Sequence, residues 1–352
     1  MPKAVRLFFK FFSVLIILGL LTLAVITGAA VYLNSPPNAQ PYPREQAMRL
    51  EDNTLFLEVR NGETAYSVGR RLENAGVIRS QYFWYFLSRL NREHIKTGTY
   101  RIELPLSQTG IRSILVGGEQ LLVRVTIPEG STLRRSSMLL EEIGICSAED
   151  FLAAASSREI LDRYNITGET MEGYLFPETY LFPLNFPAHM VVSTMADTFF
   201  IRLEEITGGL QLTPLELNDR VILASIVERE YRVPDEAALM AGVFFNRLRI
   251  GMALQSCATV EYVITEILGR PHPTVILFRD LEIRDPFNTY LRPGLPPAPI
   301  SAPGEIALRA AFHPATSEYL YFRLVDPGAG RHYFSRNYDE HIRAGALLVK
   351  GR

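Results

Sequence analysis

The chain contains little cysteine and has no cluster of histidines. Two cysteines among 352 residues, Cys146 and Cys257, form at most one disulfide and cannot supply a four-thiolate zinc site. The six histidines are scattered singly along the sequence, so we predict neither a metal nor another cofactor. The formal net charge is −2, which argues against a nucleic-acid partner because such partners require a basic surface.

The composition is that of a folded protein. Apolar residues make up 47% of the chain and charged residues 21%, and the length suggests about two domains. The charge is unevenly placed. Residues 1–44 contain Lys3, Arg6, Lys10 and Arg44 and no acidic residue.

A run of 23 uncharged residues extends from Phe11 to Leu33. As a helix it is about 34 Å long, which is enough to cross the hydrocarbon core of a membrane. The basic residues before the run predict a cytoplasmic N-terminus and an exported remainder. A cleaved signal peptide is the alternative, since Gly28, Ala29 and Ala30 are small, but its apolar core is normally shorter than this run. The next segment, Ser35–Arg44, holds four prolines and predicts a stiff spacer.

The first folded segment follows the order strand, helix, helix, strand. Residues 54–60 alternate as a strand does, 63–76 and 81–94 are amphipathic, and 97–104 return to strand character. This order is similar to that of a LysM-type sugar-binding module. We expect the aromatic stripe around Trp84 to belong to the core of the module.

The best-defined helix begins at Thr213, where Thr213, Pro214 and Glu216 form a capping box with proline at the first position. Helical periodicity then places Glu228 on the same stripe as Val221 and Ala224. A carboxyl group on an apolar face has a raised pKa, as a general acid for glycosidic cleavage requires. The alternative is a structural ion pair between Glu228 and a base such as Arg247. Glu230 is expected to be solvated.

Polar residues after this helix are candidate ligands for sugar hydroxyls and acetamides. Some of these residues lie in the polar segment that follows a second predicted helix (236–249). Others lie in a proline-rich stretch (285–304), whose prolines predict a rigid loop. The polar side chains can equally cap the helix that Val260 begins. The predicted substrate-binding residues are Asn246, Gln255, Ser256, Thr259, Asn288 and Tyr290.

Five segments in this order resemble the MltG/YceG-like endolytic murein transglycosylases. They are EGYLFPETY (172–180), LASIVERE (223–230), AGVFFNRLRIGMALQS (241–256), NTYLRPGLPPAPI (288–300) and EYLYF with HYFS near the end. The resemblance implies a membrane-anchored lyase that cleaves nascent peptidoglycan strands between N-acetylmuramic acid and N-acetylglucosamine. It implies that Glu228 is the catalytic acid and then the base, leaving 1,6-anhydro ends. Peptidoglycan strands, the cytoplasmic membrane and peptidoglycan synthases are the implied partners.

The predicted fold class is α+β. We predict a cytoplasmic N-terminus (1–10), a transmembrane helix (11–33), a proline-rich spacer (34–50), a LysM-like module (51–127), a connecting subdomain (128–195) and a catalytic domain (196–352). The catalytic domain is expected on the outer side of the membrane.

One position departs from the family pattern. Cys257 and Ala258 stand where family members commonly have Asp-Pro. Cys257 is expected to be a buried filler or a partner of Cys146. An inactive peptidoglycan-binding protein is therefore an alternative function. A true hydrolase is a third, and its water-activating residue would be Glu178, Glu230 or Glu261.

Overall fold

The structure is a computed structural model that describes residues 3–38, 41, 48–51, 53–60, 62–90, 94–118 and 120–346. The chain divides into two compact units. The first comprises residues 1–123 and 183–185, and the second comprises residues 124–182 and 186–352. The mixed α+β class predicted from the sequence is confirmed. The finer division of the exported part, with a separate connecting subdomain at 128–195, stays a prediction.

The first unit combines a long helix with a small sheet and three short helices. Its elements are α1 (Lys3–Asn34), β1 (Met48–Glu51), β2 (Thr54–Val59), α2 (Ala65–Asn74), α3 (Gln81–Leu90), β3 (Gly98–Glu103) and α4 (Gln108–Gly117). The strands form one antiparallel sheet in the order β1-β2-β3. The predicted order of strand, helix, helix, strand is confirmed.

Trp84 is the centre of the first unit's core. Its side chain is fully buried, and its indole Nε1 donates to the carbonyl of Ala65 (2.8 Å). Helix α2 approaches the indole so closely that only glycine fits at Gly69. The prediction of a core aromatic stripe is therefore right for Trp84. It is wrong for Phe86, whose side chain is exposed.

Helix α1 contains one candidate membrane span, Phe11–Asn34, which meets the requirements of length and composition. The predicted spacer Ser35–Arg44 lies only partly within the described residues, because 39–40 and 42–44 fall outside them.

The second unit is mainly helical. Its elements are β4 (Leu122–Thr126, with its last residues in this unit), α5 (Leu133–Ile143), α6 (Ala148–Ala155), α7 (Arg158–Arg163), β5 (Thr179–Pro183), α8 (Ala188–Thr207), α9 (Pro214–Glu230), α10 (Ala237–Arg249), α11 (Cys257–Tyr262), α12 (Glu305–Phe312), β6 (Tyr321–Asp326), β7 (Arg331–Ser335) and α13 (Tyr338–Ala344). Strand β4 pairs with β5, and β6 forms an antiparallel hairpin with β7.

Helix α9 is the core of this unit. It begins with the predicted capping box, in which Thr213 and Glu216 bond each other's backbone N–H groups. All residues from Val221 to Val227 are buried, and α9 packs against α10, α11 and α12. As predicted, no helix or strand occupies residues 285–304, all of which are described.

Gly173 fixes a close approach between two loops of the second unit. Its φ is +83°, and a side chain there would collide with the ring of Pro299. Gly208, at the end of α8, has a similar φ of +64° but open space around it. The two glycines therefore share a backbone conformation and differ in packing.

We predict that Gly173→Ala destabilises the protein much more than Gly208→Ala. The left-handed conformation alone costs about 1 kcal/mol for alanine, and overpacking at Gly173 raises the cost to about 3 kcal/mol. Urea unfolding of the full chain in detergent, followed by circular dichroism, measures both changes. Equal losses in the two variants would contradict the packing argument.

Candidate functional site

Glu228 lies in the last turn of α9, directly after its buried segment. Ser225, one turn earlier in α9, forms two hydrogen bonds that attach the proline-rich loop here. The Ile300 N–H donates to the Ser225 hydroxyl (3.0 Å), and the Ser301 hydroxyl donates to the Ser225 carbonyl (3.1 Å). The Ser225 hydroxyl in turn donates to the carbonyl of Ile222 (2.7 Å). The proline-rich loop is thus fixed along α9.

A second loop joins the first through backbone hydrogen bonds. The Gly130 N–H donates to the carbonyl of Ala302 (2.9 Å), and the Ala302 N–H donates to the carbonyl of Ser131 (2.8 Å). These bonds bring Glu129, next to Gly130, to the end of the proline-rich loop at Gly304. The Glu129 carboxylate lies so close to the Gly304 Cα that a side chain at 304 would collide with it.

The Glu228 carboxylate completes this junction. Its Oε2 accepts a hydrogen bond from the Gly304 N–H (3.0 Å). Burial raises the pKa of Glu228 to about 7; the Gly304 hydrogen bond lowers the pKa, the Glu129 carboxylate raises it and Arg229 lowers it. A large share of this carboxyl group is therefore protonated at neutral pH.

Glu129 was not predicted as a site residue from the sequence. Its only local signal is an acidic residue between a strand and a glycine turn, and many surface turns share that pattern. The proximity of Glu129 to Glu228 depends on the loop-to-loop bonds at Ala302, which a pattern of side chains does not reveal.

The alternative of an ion pair between Glu228 and Arg247 is wrong. Arg247 is buried, donates to the carbonyls of Leu320 and Leu254, and stacks over the ring of Tyr321 (5.2 Å). The base beside Glu228 is Arg229, which pairs with Glu261 (2.8 Å). Glu228 thus keeps its carboxylate free of an ion pair among the described residues.

Glu228 lines a cavity of about 780 Å³. This size suits a small-molecule or oligosaccharide segment. The residues that line it are Glu129, Gly130, Thr132, Arg134, Arg135, Met138, Glu228, Arg229, Thr265, Glu266, Gly269, Arg270, Pro271 and His272. None of the six predicted substrate-binding residues is in this set, although all six are described.

Glu172 is a second carboxyl group with a strongly perturbed environment. It is buried, and its carboxylate oxygens accept from the Leu133 N–H (3.2 and 3.1 Å) at the start of α5. Burial raises its pKa to about 8, the Leu133 hydrogen bond lowers it, and the charge of Glu266 raises it. It does not line the cavity.

Two of the predicted polar residues, Ser256 and Thr259, share one buried hydrogen-bond network with Thr289. The Ser256 N–H donates to Thr289 Oγ1 (3.1 Å), and Thr259 Oγ1 lies 2.9 Å from the same atom. The Ser256 hydroxyl donates to the Glu230 carboxylate. Glu230 is therefore half-buried rather than solvated, contrary to the prediction, and burial raises its pKa. The network fixes the start of α11 against the proline-rich loop.

The other predicted polar residues have different surroundings. Asn288 is buried and donates to the carbonyls of Leu281 and Ile283, and Asn246 donates to the carbonyls of Ser317 and Tyr319. Gln255 is exposed and has a left-handed φ of +51°. Tyr290 is half-buried. Contact of any of these residues with sugar stays a prediction.

Both cysteines are free thiols. Cys257 is exposed, so the expectation of a buried filler is wrong, and its Sγ lies 3.2 Å from the Tyr290 hydroxyl. Among the residues that the structure describes, no group of three or more His, Cys, Asp and Glu side chains is placed to hold a metal ion.

Residues 57–346 match the model of the YceG-like family, which covers most of the chain. The chain belongs to the YceG-like family. This YceG-like chain is 26% identical over 325 residues to a protein named endolytic murein transglycosylase from Streptococcus pneumoniae strain D39. The match covers 85% of the chain and 59% of the pneumococcal protein, so the chain spans less than two thirds of that relative.

Two further relatives extend the comparison. A Bacillus subtilis protein, also named endolytic murein transglycosylase, is 24% identical over 318 residues, covering 85% of this chain and 86% of that protein. A crystal structure of a YceG-like protein from Listeria monocytogenes superposes with a TM-score of 0.56 at 26% identity. It covers 83% of this YceG-like chain and 99% of the Listeria chain.

We predict that stability falls as the pH rises, because of Glu172. The folded state keeps its proton up to a pKa of about 8, whereas the unfolded state releases it near 4.5. Deprotonation therefore favours the unfolded state throughout this window. Glu172→Gln should flatten the pH dependence of the melting temperature between pH 5 and 8.

The exposed neighbour Glu169 provides the control. Glu169→Gln should keep the wild-type dependence on pH. A Glu172→Gln variant with the same steep dependence as the wild type would show that another group causes it.

Proposed function

We propose that the protein is a lytic transglycosylase that cleaves peptidoglycan strands internally and leaves 1,6-anhydro-N-acetylmuramic acid ends. The general activity is supported by the names of its relatives. The observation that carries the proposal is the Glu228 carboxyl group, which lines the cavity, has a pKa of about 7 and has no ion-pair partner among the described residues.

In the first step, protonated Glu228 acts as a general acid. It gives its proton to the glycosidic oxygen that joins C1 of N-acetylmuramic acid to N-acetylglucosamine. The C1–O bond breaks, its electron pair goes to the departing oxygen, and positive charge develops at C1. The Gly304 N–H, bound to Oε2, holds the carboxyl group in one orientation and stabilises the anion that remains.

In the second step, the same carboxylate acts as a base. It removes the proton from the C6 hydroxyl of the N-acetylmuramic acid, and O6 attacks C1 to close the 1,6-anhydro ring. Glu228 is protonated again at the end. The nucleophile belongs to the substrate, so one carboxyl group in two roles is sufficient and no water is consumed.

Glu129 acts as a positioning residue for this chemistry. Its negative charge raises the pKa of Glu228 and so favours the protonated form that starts the reaction.

Hydrolysis is the second candidate reaction, because Glu129 is a carboxylate that can activate water in the same cavity. The three glutamates named for this role from the sequence are engaged elsewhere. Glu178 pairs with Arg202, Glu230 accepts from Ser256 and Glu261 pairs with Arg229. The intact surroundings of Glu228 favour an enzyme over an inactive binding protein.

The setting of the enzyme is part of the proposal. The apolar segment Phe11–Asn34 anchors the chain in the cytoplasmic membrane, with the N-terminus inside and the second unit outside. Residues 51–127 form a LysM-like module, in keeping with the order of their elements. Peptidoglycan synthases, which make the strands, are the expected neighbours.

We predict that Glu228→Gln lowers the rate of strand cleavage on the order of 10³-fold, because glutamine neither donates nor accepts the proton. The full chain in detergent is incubated with isolated strands, and the ends are identified by mass spectrometry. The wild type should release anhydro ends. Glu204→Gln, at an exposed position of α8, is the matched control and should be as active as the wild type.

The ends also separate the candidate functions. Reducing N-acetylmuramic acid ends from the wild type would establish hydrolysis. Intact strands from the wild type, with binding retained, would indicate an inactive binding protein.

We predict that Glu129→Gln moves the alkaline limb of the pH–rate profile to lower pH. Removal of the Glu129 charge lowers the pKa of Glu228, so the general acid loses its proton earlier as the pH rises. The profile is measured beside that of Glu149→Gln, an exposed carboxylate of α6. A limb that stays in place, or moves upward, would exclude this electrostatic role.

A further inference from the structure

Three exposed arginines line the same cavity as Glu228. They are Arg134 and Arg135 of α5 and Arg270, which follows α11, and we call them the arginine group. Within the described ranges, none of the three forms an ion pair, whereas Arg229 in the same cavity pairs with Glu261. Their charges are therefore available to a ligand.

Contacts between the first turn of α5 and the segment 265–270 hold the arginine group at the cavity. The Arg134 Nη1 donates to the carbonyl of Thr265 (3.4 Å), and the Arg134 guanidinium lies beside Gly269. Arg270 is the residue after Gly269, and its N–H donates to the carbonyl of Ile264 (2.9 Å). The first turn of α5 and the segment 265–270 thus meet at one wall.

The position of two of these arginines is unfavourable for the helix. Thr132 is the N-cap of α5, so Arg134 and Arg135 lie in its first turn, where the helix dipole favours anions. No acidic side chain occupies this turn. The positive charges of the two arginines therefore add to the positive end of the helix dipole and repel one another. An anionic ligand would relieve this repulsion.

The nearby negative charges do not cancel the arginine group. Glu266 also lines the cavity. The buried Glu172, which accepts from the Leu133 N–H, has a pKa of about 8, so its carboxyl group is largely neutral at pH 7. His272 lies 3.6 Å from Glu261, which Arg229 already neutralises. Four arginines (Arg134, Arg135, Arg229 and Arg270) and three glutamates (Glu129, Glu228 and Glu266) line the cavity, so it keeps a small net positive charge.

We propose that the arginine group binds the anionic groups that the glycan substrate carries. This inference rests on the proposed function and assigns the substrate specificity of its cavity. A neutral sugar backbone needs no unpaired arginines, but peptidoglycan strands carry peptide carboxylates and, while still attached to their lipid carrier, a pyrophosphate. Both offer planar or clustered anionic oxygens that guanidinium groups bind through paired hydrogen bonds.

The test measures binding without cleavage, in the full-length Glu228→Gln chain in detergent. A triple variant, Arg134→Gln with Arg135→Gln and Arg270→Gln, is compared with a control triple, Arg158→Gln with Arg309→Gln and Arg336→Gln. The control removes three exposed arginines of the same unit that do not line the cavity. Both triples change the net charge equally, and circular dichroism shows that each is folded.

Binding of fluorescently labelled strands is measured by anisotropy at two salt concentrations. We expect the cavity triple to bind at least about tenfold more weakly at low salt and to lose most of its salt dependence. The control triple should bind as its parent does. Equal affinities in the two triples, or equal losses, would overturn the proposal.

The source of the negative charge is identified with modified strands. If peptide carboxylates are recognised, strands whose carboxylates have been converted to amides bind the Glu228→Gln parent more weakly. Their affinity for the cavity triple is unchanged. If pyrophosphate is recognised, the same loss follows removal of the lipid pyrophosphate by mild acid. Full affinity of the parent for strands that lack both groups would overturn the proposal.

Failure of the proposed function gives a different result. Cleavage by the Glu228→Gln parent, or no cleavage by the wild type, would contradict the proposed function. Neither result depends on the difference in affinity between the two triples.

Discussion

The site depends on the attachment of the proline-rich loop to helix α9 at Ser225. This one residue bonds Ile300 through its hydroxyl and Ser301 through its carbonyl, both in the interior of the second unit. The loop therefore reaches Gly304 at a fixed distance from the last turn of α9. Because proline restricts φ along the loop, few other paths are open to it, and little conformational entropy remains to be lost.

A buried carboxyl group can serve two chemical roles only if its environment stabilises both protonation states. Burial and the charge of Glu129 favour the protonated form of Glu228, whereas the Gly304 N–H and Arg229 favour the anion. These influences oppose one another and leave the pKa near 7. A pKa near neutrality suits a group that must first give and then take a proton.

The sequence predicted the elements better than the site. Periodicity was sufficient for α9, its cap and the inward position of Glu228, because these depend on neighbours a few residues away. Periodicity could not reveal which residues from other elements pack on a helix. The prediction that Glu230 is solvated is wrong because the Ser256 hydroxyl donates to its carboxylate. The prediction of an Arg247–Glu228 ion pair is wrong because Arg247 donates to the carbonyl of Leu320. Glu129 was missed for the same reason, since backbone bonds between distant loops bring it to the site.

The last part of the chain has a consequence for the order in which the fold can form. Helix α10 is bound to the residues before β6, through Asn246 to Ser317 and Tyr319 and through Arg247 to Leu320. Until residue 320 has been synthesised, the Arg247 guanidinium has no carbonyl there, and burying it would be costly. Helix α10 packs on α9, which carries Glu228. A nascent chain therefore cannot complete the native packing around this helix until residue 320 has left the ribosome.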